Sequence, residues 1–188
     1  AVILAAGTGS RLRPLTIDRP KACVTVDSVP IGEHQLSAYD AAGFETVYVV
    51  AGYLPHRIEA LCERLSTDLS VDIEVLHNEV FANTDNMYSL YCAREAVAGE
   101  PFVLSNGDVV FEPAVVDRLA AIDGHSAIAF DTDQHDPEAM KITVDEAGAV
   151  TGISKQFGPE VAAGTSIDCY RFSAATSAKL FDRIERRI

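Results

Sequence analysis

Tryptophan is absent from this 188-residue chain, and lysine occurs only at Lys21, Lys141, Lys155 and Lys179. Without tryptophan, and with six tyrosines dispersed along the chain, no dense aromatic run is available to cage a quaternary ammonium group. Positive charge is scarce as well: 15 basic residues face 28 acidic ones, for a formal net charge of −13. Such a surface is a poor partner for a phosphate-backbone polymer, so nucleic acid is not an expected ligand. The cysteines, Cys23, Cys62, Cys92 and Cys169, show no Cys-x-x-Cys spacing and no histidine pair at zinc distance. They read as free thiols of a reducing compartment rather than as a metal or disulfide framework. No apolar run approaches the ~20 residues of a membrane span, and no basic segment with a cleavage site precedes the first apolar run. A cytoplasmic protein with no membrane association is expected. The acidic, lysine-poor surface is compatible with a high-salt cytoplasm and equally with ordinary acidity.

What is present suits a globular α/β chain, 48% apolar and long enough for one full core. Short β-branched runs at 2–4, 46–51, 71–76, 102–104 and 127–130 read as strands buried on both faces. Between them, 31–42, 55–65, 86–97 and 113–122 read as helices. Ile58, Leu61, Cys62 and Leu65 mark a core face at helical spacing. Strands separated by helices imply parallel pairing through right-handed crossovers. Beyond 127 the helices drop out: 140–144, 150–154 and 166–172 read as strands, with a turn at Asp145-Glu146-Ala147-Gly148, and 173–188 as helix. The expected fold is α/β, a doubly wound Rossmann-like mixed sheet, in a single domain over 1–188. The chain starts on a strand without Met and stops within a helix, so the natural protein is expected to extend beyond both ends.

Residues 2–21, VILAAGTGSRLRPLTIDRPK, carry the most functional information. An apolar strand runs into a turn of small residues, Ala5-Ala6-Gly7-Thr8-Gly9-Ser10, followed by Arg11, Arg13 and Pro20-Lys21. Such a turn lets backbone N–H groups close on an anion because no Cβ intervenes. A Walker loop is excluded, since Gly9 is followed by Ser10-Arg11. The dinucleotide fingerprint fails too, because Leu12 stands where its third glycine belongs. A polyphosphate is the natural guest. In an open parallel sheet the ligand lies beyond the carboxyl ends of the strands. That rule gathers the 5–11 loop, Gly52-Tyr53, 77–86 and 105–108 around one crevice. Asp108, after Asn106-Gly107, then offers a carboxylate beside the phosphate loop, a donor suited to Mg²⁺. His77 follows a strand into the same region, though a surface or packed role suits it better.

The whole block resembles the signature of nucleotidyltransferases that join a nucleoside triphosphate to a sugar phosphate or similar phosphate, L-A-A-G-x-G-x-R-L-x-P-L-T and then P-K. The matches are Leu4, Ala5, Ala6, Gly7, Gly9, Arg11, Leu12, Pro14, Leu15, Thr16, Pro20 and Lys21. The resemblance implies a nucleotide-diphospho-sugar transferase type of fold, with catalytic Arg11, Lys21 and Asp108 and with Mg²⁺ on Asp108. The nucleotide would lie along Leu4, Ala5, Ala6, Gly7, Thr8 and Gly9, with Gly52, Asn86, Ser89 and Gly107. Hexose-phosphate members carry a Gln and a Gly-Thr pair for the base around 84–91, and this chain has no Gly-Thr in that segment. Asn86-x-x-Ser89-Leu90 and Gly52-Tyr53-Leu54 instead resemble the phosphocholine cytidylyltransferase branch. Asn86 also suits a helix cap, and a capped helix start facing the cleft is itself a polar site.

The expected reaction transfers CMP from CTP to a small phosphorylated alcohol or phosphonate and releases pyrophosphate. Lys155 and Asp168 are the expected acceptor contacts, Lys155 to its phosphate and Asp168 to an amine or hydroxyl. For each, a solvated lysine and a structural hydrogen bond are competing roles, and Lys141 competes with Lys155. The second metal carboxylate of the sugar-phosphate members, near their C-terminal end, is not placed because the chain stops before it, and the surroundings of Asp168 do not match that position. A homodimer is allowed for. The alternatives are a hexose-1-phosphate nucleotidylyltransferase using UTP, dTTP or GTP, one domain of a bifunctional protein, and a catalytically silent regulatory module. Silent copies tend to lose the signature Arg and Lys, whereas Arg11, Lys21 and Asp108 are all present.

Overall fold

Alternation along Val2–Ala5 sets the architecture. In this first strand, β1, Ile3 and Ala5 face one core, while Val2 and Leu4 face another. Both cores are buried, so the strand must be covered on both sides, as a doubly wound sheet requires. In a computed structural model, described over residues 1–133 and 138–188, that is the arrangement found.

The elements are β1, a small hairpin of β2 (Thr25–Val26) and β3 (Val29–Pro30), α1 (Ile31–Ala41), β4 (Thr46–Ala51), α2 (Pro55–Leu65), β5 (Asp72–His77), α3 (Asn86–Tyr91), α4 (Arg94–Val97), β6 (Phe102–Asn106), α5 (Pro113–Ala120), β7 (Ala127–Asp131), β8 (Lys141–Val144), β9 (Val150–Ser154), β10 (Gly164–Phe172) and α6 (Ala174–Glu185). The main sheet runs β5-β4-β1-β6-β10-β8-β9, with β7 paired to β10. The first four strands of that order are parallel. β10 is antiparallel to β6, β7 and β8, and β8 to β9. Helices α1, α2 and α5 cover one face, contributing Leu36, Tyr39, Ile58, Leu61 and Val116. Helices α3, α4 and α6 cover the other, contributing Leu90, Val97, Phe181 and Ile184. Each such fully buried aliphatic or aromatic side chain stabilises the fold by about 1.5–3 kcal/mol.

Three details depart from the sequence expectation. The segment 86–97 is two helices rather than one. At Ala93 the ladder tightens, its N–H bonding to the Leu90 carbonyl at 3.0 Å, so that Ala93 and Val97 both turn into the core. No glycine or proline marks the break. The strand at 127–130 does not join the parallel set, because the later β10 inserts between it and β6. The hairpin at 25–30 was not anticipated. Its turn residues Asp27 and Ser28 have φ of 51° and 69°, the geometry normally signalled by Asn-Gly. The turn at 145–148 forms as expected: the Asp145 carboxylate accepts from Ala147 N and Ala149 N at 2.9 Å, and Gly148 has φ of 80°.

All four cysteines are free. Burial pushes the Cys62 and Cys169 thiols up to about 12, so both stay protonated and inert. Among the described residues no helix is long and apolar enough to cross a membrane.

Candidate active site

The chain leaves β1 for β4 and β5 on one side and reaches β6 on the other, so the strand order reverses between β1 and β6. A crevice opens at such a reversal, beyond the carboxyl ends of the strands. Here the two strand ends are drawn tightly together. Gly107 N–H donates to the Leu4 carbonyl at 2.8 Å, and a Cβ at Gly107 would stand 2.9 Å from that same oxygen. Only glycine allows this approach, which is what carries Asp108 to the mouth of the Gly7–Gly9 loop.

The loop is folded by its own sequence. Gly9 has φ of +64°, and its carbonyl accepts the buried Thr16 hydroxyl at 2.7 Å. A Cβ on Gly9 would collide with the Lys21 Cγ at 2.7 Å, so the glycine also seats the lysine stem. Lys21 opens a 3-10 turn after Pro20, and its Nζ donates to the Asp108 Oδ2 across the crevice. Both side chains are only partly exposed. A Cβ on Gly7 would meet no atom within 4 Å, so that flank of the loop is open for a ligand. Behind β6, the Tyr39 hydroxyl donates to Ser105 Oγ at 3.0 Å, and Gln35 Nε2 donates to the Asn106 carbonyl at 2.7 Å. These buried contacts fix the strand end from which Asp108 projects; burial also pushes the Tyr39 phenol well up.

A hollow of about 170 Å³ is lined by Leu4, Ala5, Gly7, Arg11, Lys21, Asn86, Asn106, Gly107, Asp108 and Asp168. A larger one of about 750 Å³ shares Leu4, Arg11, Asn86, Asn106 and Asp168 with it. The structure therefore brings together Arg11, Lys21, Asp108, Leu4, Ala5, Gly7, Asn86, Gly107 and Asp168. It does not bring the others to these hollows. Ala6 is buried, Thr8 is half-buried and Gly9 is covered by Lys21 and Thr16. Gly52 packs against Ala6 and Phe81 and acts as a support for the loop. Ser89 is buried, accepts from Asn78 Nδ2 at 3.0 Å and donates to the Asp85 carbonyl at 3.3 Å. Lys155 is exposed at the end of β9, where its carbonyl accepts from Lys141 Nζ at 3.1 Å. His77 pairs with Glu59 of α2 at 3.3 Å. The crevice thus lies among β1, β6, α3 and β10. The 52–53 and 77–85 segments stand behind it rather than on its wall.

Asn86 is not the cap of α3. Asp85 is, accepting from Met87 N at 2.9 Å and Tyr88 N at 3.3 Å, and this frees the Asn86 amide to donate to Asn106 Oδ1 at 3.3 Å. Asn106 is one of the residues that the sequence reading missed as a site member, although it stood beside Gly107-Asp108. Met140, Tyr170, Leu180, Arg183 of α6, and Arg186 and Arg187 just beyond that helix were missed as well. They come from elements far along the chain, and no local motif marks them.

The donor set can be tested against a divalent cation. Among the described residues no group of three or more His, Cys, Asp or Glu side chains could hold a metal. Mg²⁺ does not require one, since it is usually held by one or two carboxylates with substrate phosphate and water completing the shell. Asp108 beside the phosphate loop fits that role.

A family model described as the MobA-like NTP transferase domain matches residues 1–184. The chain is 39% identical over 129 residues to the CMP-5'-(3-aminopropyl)phosphonate synthase of Streptomyces rubellomurinus, a match covering 69% of this chain and 20% of that protein. It is 33% identical over 112 residues to the choline-phosphate cytidylyltransferase of Streptococcus pneumoniae, covering 60% of this chain and 46% of that protein. The chain thus spans about half or less of the length of these curated relatives. Among solved structures, an inositol-1-phosphate CTP transferase from T. maritima superposes with a TM-score of 0.75 at 26% identity, over 93% of this chain and 70% of that one.

Proposed function

The chain belongs to the MobA-like NTP transferase domain family, and from that premise we propose that it transfers CMP from CTP to a small phosphorylated alcohol or phosphonate, releasing pyrophosphate. The observation that carries this reading is the contact of Lys21 with Asp108 where β1 and β6 part, beside the open flank of Gly7. It places the ammonium needed by phosphate oxygens and the carboxylate needed by a hard cation at one point of one cleft. The cytidylyltransferases among the relatives support cytidine as the base.

In this reading the triphosphate lies along the Gly7 loop, with backbone N–H groups and Arg11 holding the β- and γ-phosphates. Lys21 neutralises the α-phosphate and draws the acceptor anion towards it. An acceptor oxygen forms a bond to the α-phosphorus while the bond from that phosphorus to the bridging oxygen breaks, and pyrophosphate departs with the electron pair. A phosphate or phosphonate oxygen is already ionised near neutral pH, so no side chain has to remove a proton. Asp108, with Asn106 beside it, would hold Mg²⁺, which when bound offsets the negative charge of the triphosphate. The work of the protein is positioning and charge stabilisation, as is general for phosphoryl transfer.

The test is pyrophosphate release with CTP, UTP, GTP and dTTP crossed with phosphates, phosphonates and glucose 1-phosphate. Release with CTP and a small phosphate or phosphonate is expected. Release with UTP and glucose 1-phosphate but not with CTP overturns the cytidylyl assignment. No release with any pair overturns the enzyme reading in favour of a silent module.

A further inference from the structure

Asp168 stands out on β10. Ser166 pairs with Phe130 and Cys169 with Ala129, so Ile167 and Asp168 bulge out with no partner on β7. Asp168 itself has φ of +55°, a left-handed conformation that a strand does not need and that aspartate tolerates better than most residues. The bulge turns its side chain into the wall shared by both hollows. There one carboxylate oxygen, Oδ1, accepts the Tyr170 hydroxyl at 2.9 Å and the Ser166 hydroxyl at 3.4 Å. Burial pushes the Tyr170 phenol up to about 12, so it remains a donor across the working pH range. Ser166 also receives the Asp168 N–H at 3.0 Å. The carboxylate is held in place by two hydroxyls and its own backbone.

Among the described residues, however, no cation stands within 4 Å of Asp168; the ion pairs there lie elsewhere. In the smaller hollow, Lys21 is already engaged by Asp108. Arg11 lines both hollows and Arg183, Arg186 and Arg187 line the larger one, yet among the described residues none of them pairs with Asp168, so its carboxylate is left for a cationic group of the ligand. Two features narrow the cation further. A carboxylate oxygen recognises N–H donors. A quaternary ammonium has none and depends on aromatic faces instead, and Tyr170 is the one aromatic side chain on this wall among the described residues.

We propose that Asp168 binds a protonated primary amine of the acceptor, so that the acceptor is a zwitterion with its phosphate or phosphonate towards Lys21 and its ammonium on Asp168. This rests on the transfer reading above and names the acceptor class that reading leaves open. Ser166 and Tyr170 are positioning residues, which hold the carboxylate in its bulge.

The test compares matched acceptors in the CTP-dependent reaction: phosphoethanolamine, propyl phosphate and phosphocholine, and 2-aminoethylphosphonate against propylphosphonate. The wild-type protein is expected to favour the primary-amine member by about 10- to 100-fold in kcat/KM, the scale of one charge-assisted hydrogen bond. Asp168→Asn keeps the left-handed backbone and a partner for Tyr170 but removes the charge. It should erase the preference while leaving the KM for CTP and the Mg²⁺ requirement unchanged. Asp168→Gly, which suits the same φ, should do likewise and guards against a folding defect peculiar to Asn. Equal use of amine and amine-free acceptors by the wild type overturns the proposal but leaves the transfer reading intact. So does a choline preference. Uniform slowing of every acceptor by Asp168→Asn with a raised Mg²⁺ requirement overturns it in favour of a metal ligand. Failure of every nucleotide and acceptor pair overturns the transfer reading, and this inference with it.

Discussion

The two ends of the crevice are built by different means. At the β1–β6 end the backbone shapes the site: Gly107 lets two strand ends close to 2.8 Å, and Gly9 folds the loop back over Thr16 and Lys21. At the β10 end side chains shape it, with Asp168 thrown out by a bulge and tied down by Tyr170 and Ser166. A backbone-built site suits a ligand part common to many reactions, since amide groups and glycine do not depend on neighbouring side chains for their chemistry. A side-chain-built site can change with a single substitution. Under the proposed function the triphosphate lies at one end and acceptor selectivity at the other, and every prediction below is a way of breaking that division.

The largest effect is expected at the junction of the two ends. Lys21→Ala and Asp108→Ala should each lower kcat/KM for CTP-dependent pyrophosphate release by about 10²-fold or more, the scale of one lost preorganised charge contact. Because the two groups touch, the double variant should fall well short of the product of the singles. Multiplicative losses would mean that the pair does not act as a unit. Chelation of divalent metal should abolish wild-type turnover and be reversed by added Mg²⁺.

Two glycine substitutions separate shape from ligand contact at the backbone-built end. Gly107→Ala places a Cβ 2.9 Å from the Leu4 carbonyl and 3.0 Å from Ala5 Cβ. It should cost about 1–3 kcal/mol in a denaturant titration, with activity falling alongside. Gly7→Ala meets nothing within 4 Å. Its stability should stay within about 0.5 kcal/mol of wild type, while the KM for CTP rises because the methyl occupies ligand space. Unchanged CTP kinetics in Gly7→Ala would remove the triphosphate from that flank.

The same division explains how much could be read in advance. The parallel half of the sheet was legible because each strand is a short apolar run between helical segments. The candidate phosphate loop could be picked out because its glycines, Arg11 and Lys21 lie within one continuous block. The insertion of β10 between β6 and β7 was not, since pairing of distant strands leaves no local periodicity. Asn86 illustrates the limit well. Its segment was recognised, but whether it caps α3 or faces the crevice depended on Asp85 taking the cap. Ser89 went the other way, for three-residue spacing on a short helix cannot say which side is buried. Ser89→Ala should therefore act on stability, by about 1–3 kcal/mol from the lost partner of Asn78 Nδ2, with the KM for CTP unchanged. A rise in that KM without loss of stability would return Ser89 to the nucleotide.

Lys155 sets the lower bound of the series. A lysine on a late strand is an obvious partner for an acceptor phosphate, yet here the side chain is exposed and lines neither hollow. The interaction that holds its region runs through its carbonyl, which accepts from the buried Lys141 ammonium. A backbone carbonyl survives any side-chain replacement. Lys155→Ala should therefore remain within about 0.5 kcal/mol of wild-type stability, with kcat/KM for the acceptor unaltered. Lys141→Met removes the ammonium from its buried seat and should unfold the protein at lower denaturant. If Lys155→Ala instead raised the acceptor KM severalfold, the acceptor end would reach beyond Asp168 to the edge of the sheet, and β9 as well as β10 would have to be counted in its wall.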